Sequence, residues 1–256
     1  HDRSEIEAYL RRSPALHLYE LGDLDDFFWP YTTWYAWAEG GTLRALFLVY
    51  TGTALPVLLA LGEAPSEALA GLLKAARPFL PGRFYAHFSP GLAQVFDGER
   101  QFEPHGGYLK MVLSDPARLA GVQASGVQPL GPADLPEVEA FYRQAYPGNW
   151  FDPRMLETGC YYGVRRQERL ACVAGVHVYS PVYRVAALGN IATLPEFRGQ
   201  GLAGAATARL CQELRWRVDT VGLNVRRDNA PAIACYTRLG FTPCAEYEEC
   251  MVGEEP

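Results

Sequence analysis

Gly189-Asn190-Ile191-Ala192-Thr193-Leu194-Pro195-Glu196-Phe197-Arg198-Gly199-Gln200-Gly201-Leu202-Ala203-Gly204 decides how the chain is read. A β-rich run stops at Pro195. A turn with glycine at 199, 201 and 204 then opens directly into an apolar helix carrying Ala206, Leu210 and Leu214 at helical spacing. A glycine inside a helix costs about 1 kcal/mol relative to alanine, so Gly201 and Gly204 in the first turns imply a close approach to the backbone. Successive bare N–H groups at a helix N-terminus make an anion cradle favoured by the helix dipole. A pyrophosphate fits such a cradle. No Gly-Lys-Ser/Thr follows, and no parallel βαβ unit carries a G-x-G-x-x-G, so this is neither a Walker nor a Rossmann loop.

The flanks supply the context. Upstream, Gln128-Pro129-Leu130 reads as a short strand and Asp134 to Tyr146 as a helix with Leu135, Val138, Phe141 and Tyr142 on one face. Three strands follow as an antiparallel meander: Tyr161 to Arg165, Leu170 to Tyr179 and Tyr183 to Leu194. Downstream come a helix to about Trp216, a strand Thr220 to Val225, a helix Pro231 to Leu239, and one or two strands from Phe241 to Val252. Between the strand at Thr220 and Phe241 stands a second motif, Asn229-Ala230-Pro231-Ala232-Ile233-Ala234-Cys235-Tyr236, closed by Leu239-Gly240-Phe241.

Arg198-Gly199-Gln200-Gly201-Leu202-Ala203 resembles the R/Q-x-x-G-x-G/A signature of the GNAT superfamily of acyl-CoA-dependent N-acyltransferases. The Asn229 to Phe241 motif at the right separation strengthens the likeness, which covers roughly residues 126 to 252. Thr193 to Leu202 further resembles the glycine N-acyltransferase-like branch, whose members carry a degenerate N-terminal GNAT-like half.

The first half repeats the element order: strands Thr33 to Ala38, Leu43 to Thr51 and Pro56 to Leu61, a helix Ser66 to Arg77, a strand Arg83 to Phe88, a helix Pro90 to Phe96 and a strand Tyr108 to Leu113. Where the glycine turn belongs it has Gly62-Glu63-Ala64-Pro65. The Gly- and Pro-rich stretch Ala117 to Pro132 reads as the linker, with a boundary near Ser125. The expectation is an α/β (α+β mixed sheet) protein of two tandem GNAT-like domains. Residues 1–125 are the degenerate one, structural or shaping the acceptor site, and residues 126–256 the acyl-CoA-binding catalytic one.

Composition narrows the function classes. The 256 residues carry a net charge of −6 and are 49% hydrophobic, which suits a globular chain and argues against nucleic acid as a partner. No run approaches the roughly 20 apolar residues of a membrane span. His1-Asp2-Arg3-Ser4 has no signal-peptide architecture, so a cytoplasmic location without a membrane partner is expected. Six cysteines lack any metal-type spacing, and no metal is expected. The sequence specifies no oligomeric state.

The resemblance implies roles for individual residues. Main-chain N–H groups of Arg198, Gly199, Gln200, Gly201, Leu202, Ala203 and Gly204 would hold the CoA pyrophosphate, and Ile191, Ala192 and Thr193 would pair with pantetheine as if it were a strand. Asn229 would touch CoA, although Asn before Ala-Pro is also a good helix cap. Tyr236 would protonate the departing thiolate, or it is a core tyrosine beside Ile233. The strand Tyr183 to Leu194 lacks the acid that usually serves the glycine acyltransferase branch as base. His177 is the substitute, since an imidazole titrates near neutrality, against the alternative of a satisfied core histidine. Asp228 is a further candidate. Cys235 beside Tyr236 raises a covalent acyl-enzyme, but no neighbouring His supports it, and direct attack is expected.

The aromatic run Phe27 to Trp37 reads as core packing or an acceptor wall, and Asp23-Leu24-Asp25-Asp26 as a solvated acidic face able to attract an amine. The expected function is transfer of an acetyl or short acyl group from acetyl-CoA, as co-substrate, to a primary amine of a small or amino-acid-like molecule. The missing acid leaves open a non-catalytic acyl-CoA-binding regulatory module. A protein or peptide amine is the alternative acceptor.

Overall fold

The structure, a computed structural model, describes residues 2–63 and 66–253. Ala64 and Pro65 of the first half's turn lie outside them. In chain order the elements are α1 (Arg3–Leu10), α2 (Leu18–Gly22), β1 (Thr32–Glu39), β2 (Thr42–Tyr50), β3 (Val57–Ala60), α3 (Glu67–Ala76), β4 (Arg83–Phe88) and β5 (Gln101–Leu113). Then follow β6 (Val127–Leu130), α4 (Leu135–Ala145), β7 (Tyr161–Arg166), β8 (Arg169–Ser180), β9 (Val185–Thr193), α5 (Leu202–Leu214), β10 (Thr220–Arg226), α6 (Ala230–Arg238) and β11 (Phe241–Gly253). Two compact units divide the chain. Unit 1 is His1–Lys110 with Val225–Asp228 and Pro243–Pro256; unit 2 is Met111–Asn224 with Asn229–Thr242.

The expected boundary near Ser125 is therefore displaced to Lys110 and Met111. The presumed linker packs into unit 2. Its Leu119 is fully buried, and Gln212 Nε2 donates to the Leu119 carbonyl at 2.9 Å. The end of the chain does not stay with the residues that precede it, because most of β11 belongs to unit 1.

In unit 1 the strands run in the order β1-β2-β3-β4-β11-β5. β3 and β4 are parallel, Val57 opposite Tyr85 and Ala60 opposite Phe88, while β11 pairs antiparallel to β4 from Glu248 to Gly253. Alternation along the strands sends Phe47, Val49, Leu58, Ala60, Phe84, Ala86 and Phe88 into one core under α3. Helix α3 starts where Ser66 Oγ accepts the Leu69 N–H at 3.2 Å, and it buries Leu69, Leu73 and Ala76 at i, i+4 and i+7.

Several expectations for this half change. The segment read as a helix from Pro90 is a short 3-10 turn, Leu92–Phe96, and β5 begins at Gln101 rather than Tyr108. The aromatic run supplies β1, the edge strand of unit 1, where Trp29 stacks on Trp34 and Tyr35 on Phe47 while Trp37 stays 45% exposed. Asp23 is no solvated residue. It is 5% exposed beside the fully buried Leu24.

In unit 2 the order is β10-β9-β8-β7-β6. β9 and β10 pair in parallel, and β9, β8, β7 and β6 pair antiparallel in turn. β8 is the central strand and is buried continuously from Leu170 to Val176, as suits a strand covered on both faces. Helix α5 covers one side with Leu202, Ala206, Leu210 and Leu214, a strict i+4 row. Among the described residues no helix is long and apolar enough to cross a membrane. All six cysteines are free thiols.

Candidate active site

The site of unit 2 begins where β9 loses a neighbour. β10 pairs with β9 only from Val185 to Leu188. β8 continues to pair with β9 out to Cys172 opposite Thr193. No β10 partner faces Ile191, Ala192 and Thr193, which are half-buried.

A bulge lies at the same point. Val173 faces Ala192 but Gly175 faces Gly189, so Asn190 and Ile191 share one opposing residue, Ala174. Asn190 adopts a left-handed conformation, φ 55°, which asparagine tolerates better than most side chains. Three buried contacts hold it there. Tyr142 Oη donates to the Asn190 carbonyl at 2.7 Å, Asn190 Nδ2 donates to Tyr161 Oη at 3.1 Å, and Tyr161 Oη donates to the Val176 carbonyl at 3.0 Å. Burial raises both phenols above their ordinary pKa and keeps them protonated as donors. Gly175 is required here, since a Cβ would stand 2.2 Å from the Tyr161 ring.

The glycine turn follows. Gly199 and Gly201 both have φ 76°, with open space around a hypothetical Cβ, so their need for glycine is conformational. Gly204 has a different reason, because its Cβ would meet Cys235 Sγ at 3.4 Å where α5 passes α6. The close approach inferred from the sequence is thus, at Gly204, that of a neighbouring helix. Gly201 caps α5, and the first backbone bond into the helix is Ala205 N–H to the Gly201 carbonyl at 3.0 Å. The N–H groups of Leu202, Ala203 and Gly204 lack helical partners by geometry. Arg198 Nε donates to the Thr193 carbonyl at 3.2 Å and ties the turn to the strand end.

Helix α6 adds the second motif. Asn229 caps it, its Oδ1 accepting the Ala232 N–H at 3.2 Å. Tyr236 is 8% exposed, lies edge-on to Phe241, and has its hydroxyl pKa raised, first by burial and then by neighbours that include Cys235 and Cys172. Cys172 itself, which accepts from Thr193 Oγ1 at 3.3 Å, is pushed up by burial to about 11. The same burial raises Cys235. Neither thiol is disposed to be a nucleophile.

His177 is half-buried rather than enclosed in the core, and its ring lies across Gly189, whose Cβ would sit 1.8 Å from His177 Cδ2. It occupies the second irregularity of β8, between Val176 and Val178. Asp228, the other candidate base, belongs to unit 1 and pairs with Arg226 at 2.7 Å, which holds its carboxyl below the usual range.

A cleft of about 470 Å³ opens at the start of α5, lined by Gln200, Gly201, Gly204, Cys235, Arg166 and Arg238. Two basic residues are therefore among those lining the cleft at the start of α5. Among the described residues no group of three or more His, Cys, Asp or Glu is placed to hold a metal.

The family model described as "Acetyltransferase (GNAT) family" matches residues 130–241. The chain is 33% identical over 120 residues to the [Ribosomal protein bS18]-alanine N-acetyltransferase of Escherichia coli, covering 45% of this chain and 79% of that protein. The chain belongs to the GNAT acetyltransferase family. It is also 35% identical over 98 residues to the mycothiol acetyltransferase of Tsukamurella paurometabola, covering 37% of this chain and 34% of that one. A solved tandem GNAT protein from the clavulanic acid biosynthesis pathway shares the fold, with TM-score 0.56 at 18% identity, covering 100% of this chain and 96% of that chain. The protein is thus an acyl-CoA-dependent acetyltransferase with the mixed α/β GNAT fold.

Sequence reasoning missed Asn190, Tyr142, Tyr161, Arg166 and Arg238. Asn190 was in plain view between Gly189 and Ile191, but a bulge has no composition of its own. The end of β3 in unit 1 is built quite differently from the glycine turn of unit 2. There Gly62 N–H donates to Ser89 Oγ at 2.8 Å, Ser89 Oγ donates back to the Gly62 carbonyl at 3.1 Å, and Ser89 N–H reaches the Ala60 carbonyl at 3.1 Å. These bonds bridge the strand ends beyond the β3–β4 pair.

Proposed function

We propose that unit 2 transfers an acetyl or short acyl group from acetyl-CoA to a primary amine of a small, amino-acid-like molecule. One observation carries this: the open edge Ile191–Thr193, the Asn190 bulge and the bare N–H groups of the Gly199–Gly204 turn all lie on one continuous stretch of backbone. Pantetheine amides pair with the open edge. The Arg198 N–H expected in the cradle already donates to the Pro195 carbonyl at 3.3 Å, so the pyrophosphate rests on the N–H groups from Gly199 to Gly204, with Asn229 nearby, and Arg166 and Arg238 add positive charge around the phosphates.

The amine attacks the thioester carbonyl carbon directly, and a main-chain N–H near Ile191 takes the developing oxyanion. As the C–S bond breaks, Tyr236 gives its hydroxyl proton to the leaving thiolate. A phenol kept protonated by burial is suited to that step. His177, through its imidazole or a bound water, removes the proton the amine loses. Raised thiol pKa values at Cys172 and Cys235 favour this direct route over an acyl-cysteine.

Unit 1 is read as a degenerate GNAT-like half of the kind found in the glycine N-acyltransferase-like branch. At the end of its β3 the Ser89 hydroxyl bridges to Gly62, where unit 2 has the glycine turn. A peptide N-terminus is the second acceptor reading, because the Escherichia coli relative is named for acetylation of a ribosomal-protein alanine.

Thiol release from acetyl-CoA, measured against a panel of amino acids, small amines and peptides with N-terminal alanine, tests the proposal. Turnover with an amino acid or small amine that falls at least a hundredfold in Tyr236→Phe supports it. Turnover confined to the peptides selects the second reading, and no turnover with any acceptor overturns both.

A further inference from the structure

Unit 1 holds a second concentration of polar side chains, none of which serves the reaction proposed for unit 2. Glu20 on α2 is 2% exposed; its Oε1 lies 3.2 Å from His17 Nδ1, while its Oε2 is buried without a partner. Lys110 on β5 is equally buried, its ammonium 5.0 Å from the Tyr19 ring centre and 5.4 Å from that of Tyr247. Among the described residues it has no ion-pair partner. His87 on β4 sets Nε2 3.4 Å from Glu249 Oε1 and leaves Nδ1 buried and unpartnered.

Glu249, by contrast, is satisfied by the hydroxyls of Tyr85 and Tyr247. The charges of Glu20, Lys110 and His87 are close enough to influence one another's protonation. Burial depresses the pKa of His87 and Lys110, and Glu20 works against it at both.

Leaving a buried carboxylate oxygen without a partner is costly. A protein using Glu20 and Lys110 for stability alone would close them into contact. Here the carboxylate keeps one unpartnered oxygen, and the ammonium lies against tyrosine rings instead. Two buried atoms, Glu20 Oε2 and His87 Nδ1, stand without a partner, and beside them the Lys110 ammonium has no ion pair among the described residues. A ligand that answers all three carries an ammonium and a carboxylate together.

We propose that this cluster is a binding site for a small zwitterion, an α-amino acid, whose ammonium donates to Glu20 Oε2 and whose carboxylate accepts from Lys110 Nζ. The site stands on unit 1 alone and does not depend on the reading of unit 2. Half-exposed Tyr19 and Tyr108 give it an aromatic rim, favourable to a cationic group.

The test is calorimetry and thermal unfolding of the whole protein at pH 7.5, without acetyl-CoA, against the twenty common amino acids one at a time at 10 mM, a concentration set by the expectation of weak metabolite binding. At least one amino acid is expected to bind saturably and raise Tm, while its amide and its deaminated acid bind at least tenfold more weakly. Glu20→Gln and Lys110→Met, checked for folding by circular dichroism, are each expected to weaken that binding at least tenfold. Absence of any heat or Tm shift overturns the proposal and leaves the cluster to water. So does a bound amino acid whose affinity is unchanged in both variants, which places it elsewhere. If both variants fail to fold, the amide and deaminated analogues decide on the native chain: equal binding of either one overturns the proposal.

Discussion

Gly189→Ala tests the local architecture of the active site more sharply than any catalytic substitution. The new Cβ would lie 1.8 Å from His177 Cδ2, 2.2 Å from Nε2 and 2.5 Å from Cγ. Because Cγ is itself too close, the whole ring must leave and not merely tilt. Overpacking of this sort costs about 1–3 kcal/mol, or roughly 2–12 °C in Tm for a chain of this size. His177→Ala removes the obstacle. In a double-mutant cycle read by thermal unfolding, Gly189→Ala placed on His177→Ala is expected to cost at least about 1 kcal/mol less than on the native chain. Turnover separates packing from chemistry: the double variant regains stability but stays about a hundredfold slow, since the imidazole is gone. Additive effects on Tm would refute the placement of His177 over Gly189. Native turnover in His177→Ala would refute its part in proton removal.

Three further expectations follow from the same geometry. Gly201→Ala forces an alanine to φ 76° in otherwise open space, which costs about 1–2 kcal/mol and lowers Tm by several degrees; a variant as stable as the native chain contradicts the left-handed cap. Tyr236→Phe keeps the buried ring, so Tm and acetyl-CoA affinity stay near native while kcat falls about 10²- to 10⁴-fold; a parallel loss of affinity means the hydroxyl binds rather than donates. Asp23 in unit 1 carries a carboxyl raised well above 3.8 by burial and by the charge of Glu20, so the folded chain holds a proton that the unfolded chain releases. Stability tied to it is full below the ordinary carboxylate pKa and declines as pH rises from about 4 toward the raised value. Asp23→Asn abolishes that decline, and its Tm advantage is expected to grow between pH 4 and pH 8; parallel curves contradict the shift.

Local signals carried the reading of unit 2 a long way. Strand and helix limits from Tyr161 to Arg238 fall within about two residues of those expected, because alternation in β7 to β9 and the i+4 row of α5 are strong and uninterrupted. The Asn229 cap and the glycine turn were legible for the same reason, since each is a matter of neighbouring residues. Failures came where partners are distant. The opening residues give α1 only Ile6 and Leu10 to bury, and α2 is five residues long, so neither shows a periodic face. β5 starts with Gln101-Phe102-Glu103-Pro104-His105-Gly106-Gly107, a stretch whose strand character comes from pairing and not from pattern. That β11 returns to unit 1 is a choice of partner that no window of sequence contains. Asp23 was read as solvated because charge runs usually are; its burial with Glu20 is a tertiary fact.

The central claim is that the backbone from Ile191 to Gly204 binds an acyl-CoA, and calorimetric titration of the whole protein with acetyl-CoA, CoA and AMP tests it most directly. Acetyl-CoA and CoA are expected to bind with Kd between about 1 μM and 1 mM, the usual range for enzyme substrates, with AMP far weaker and Gly201→Ala weakened for the first two. An absence of binding heat at millimolar acetyl-CoA, or equal binding of AMP, would contradict the account.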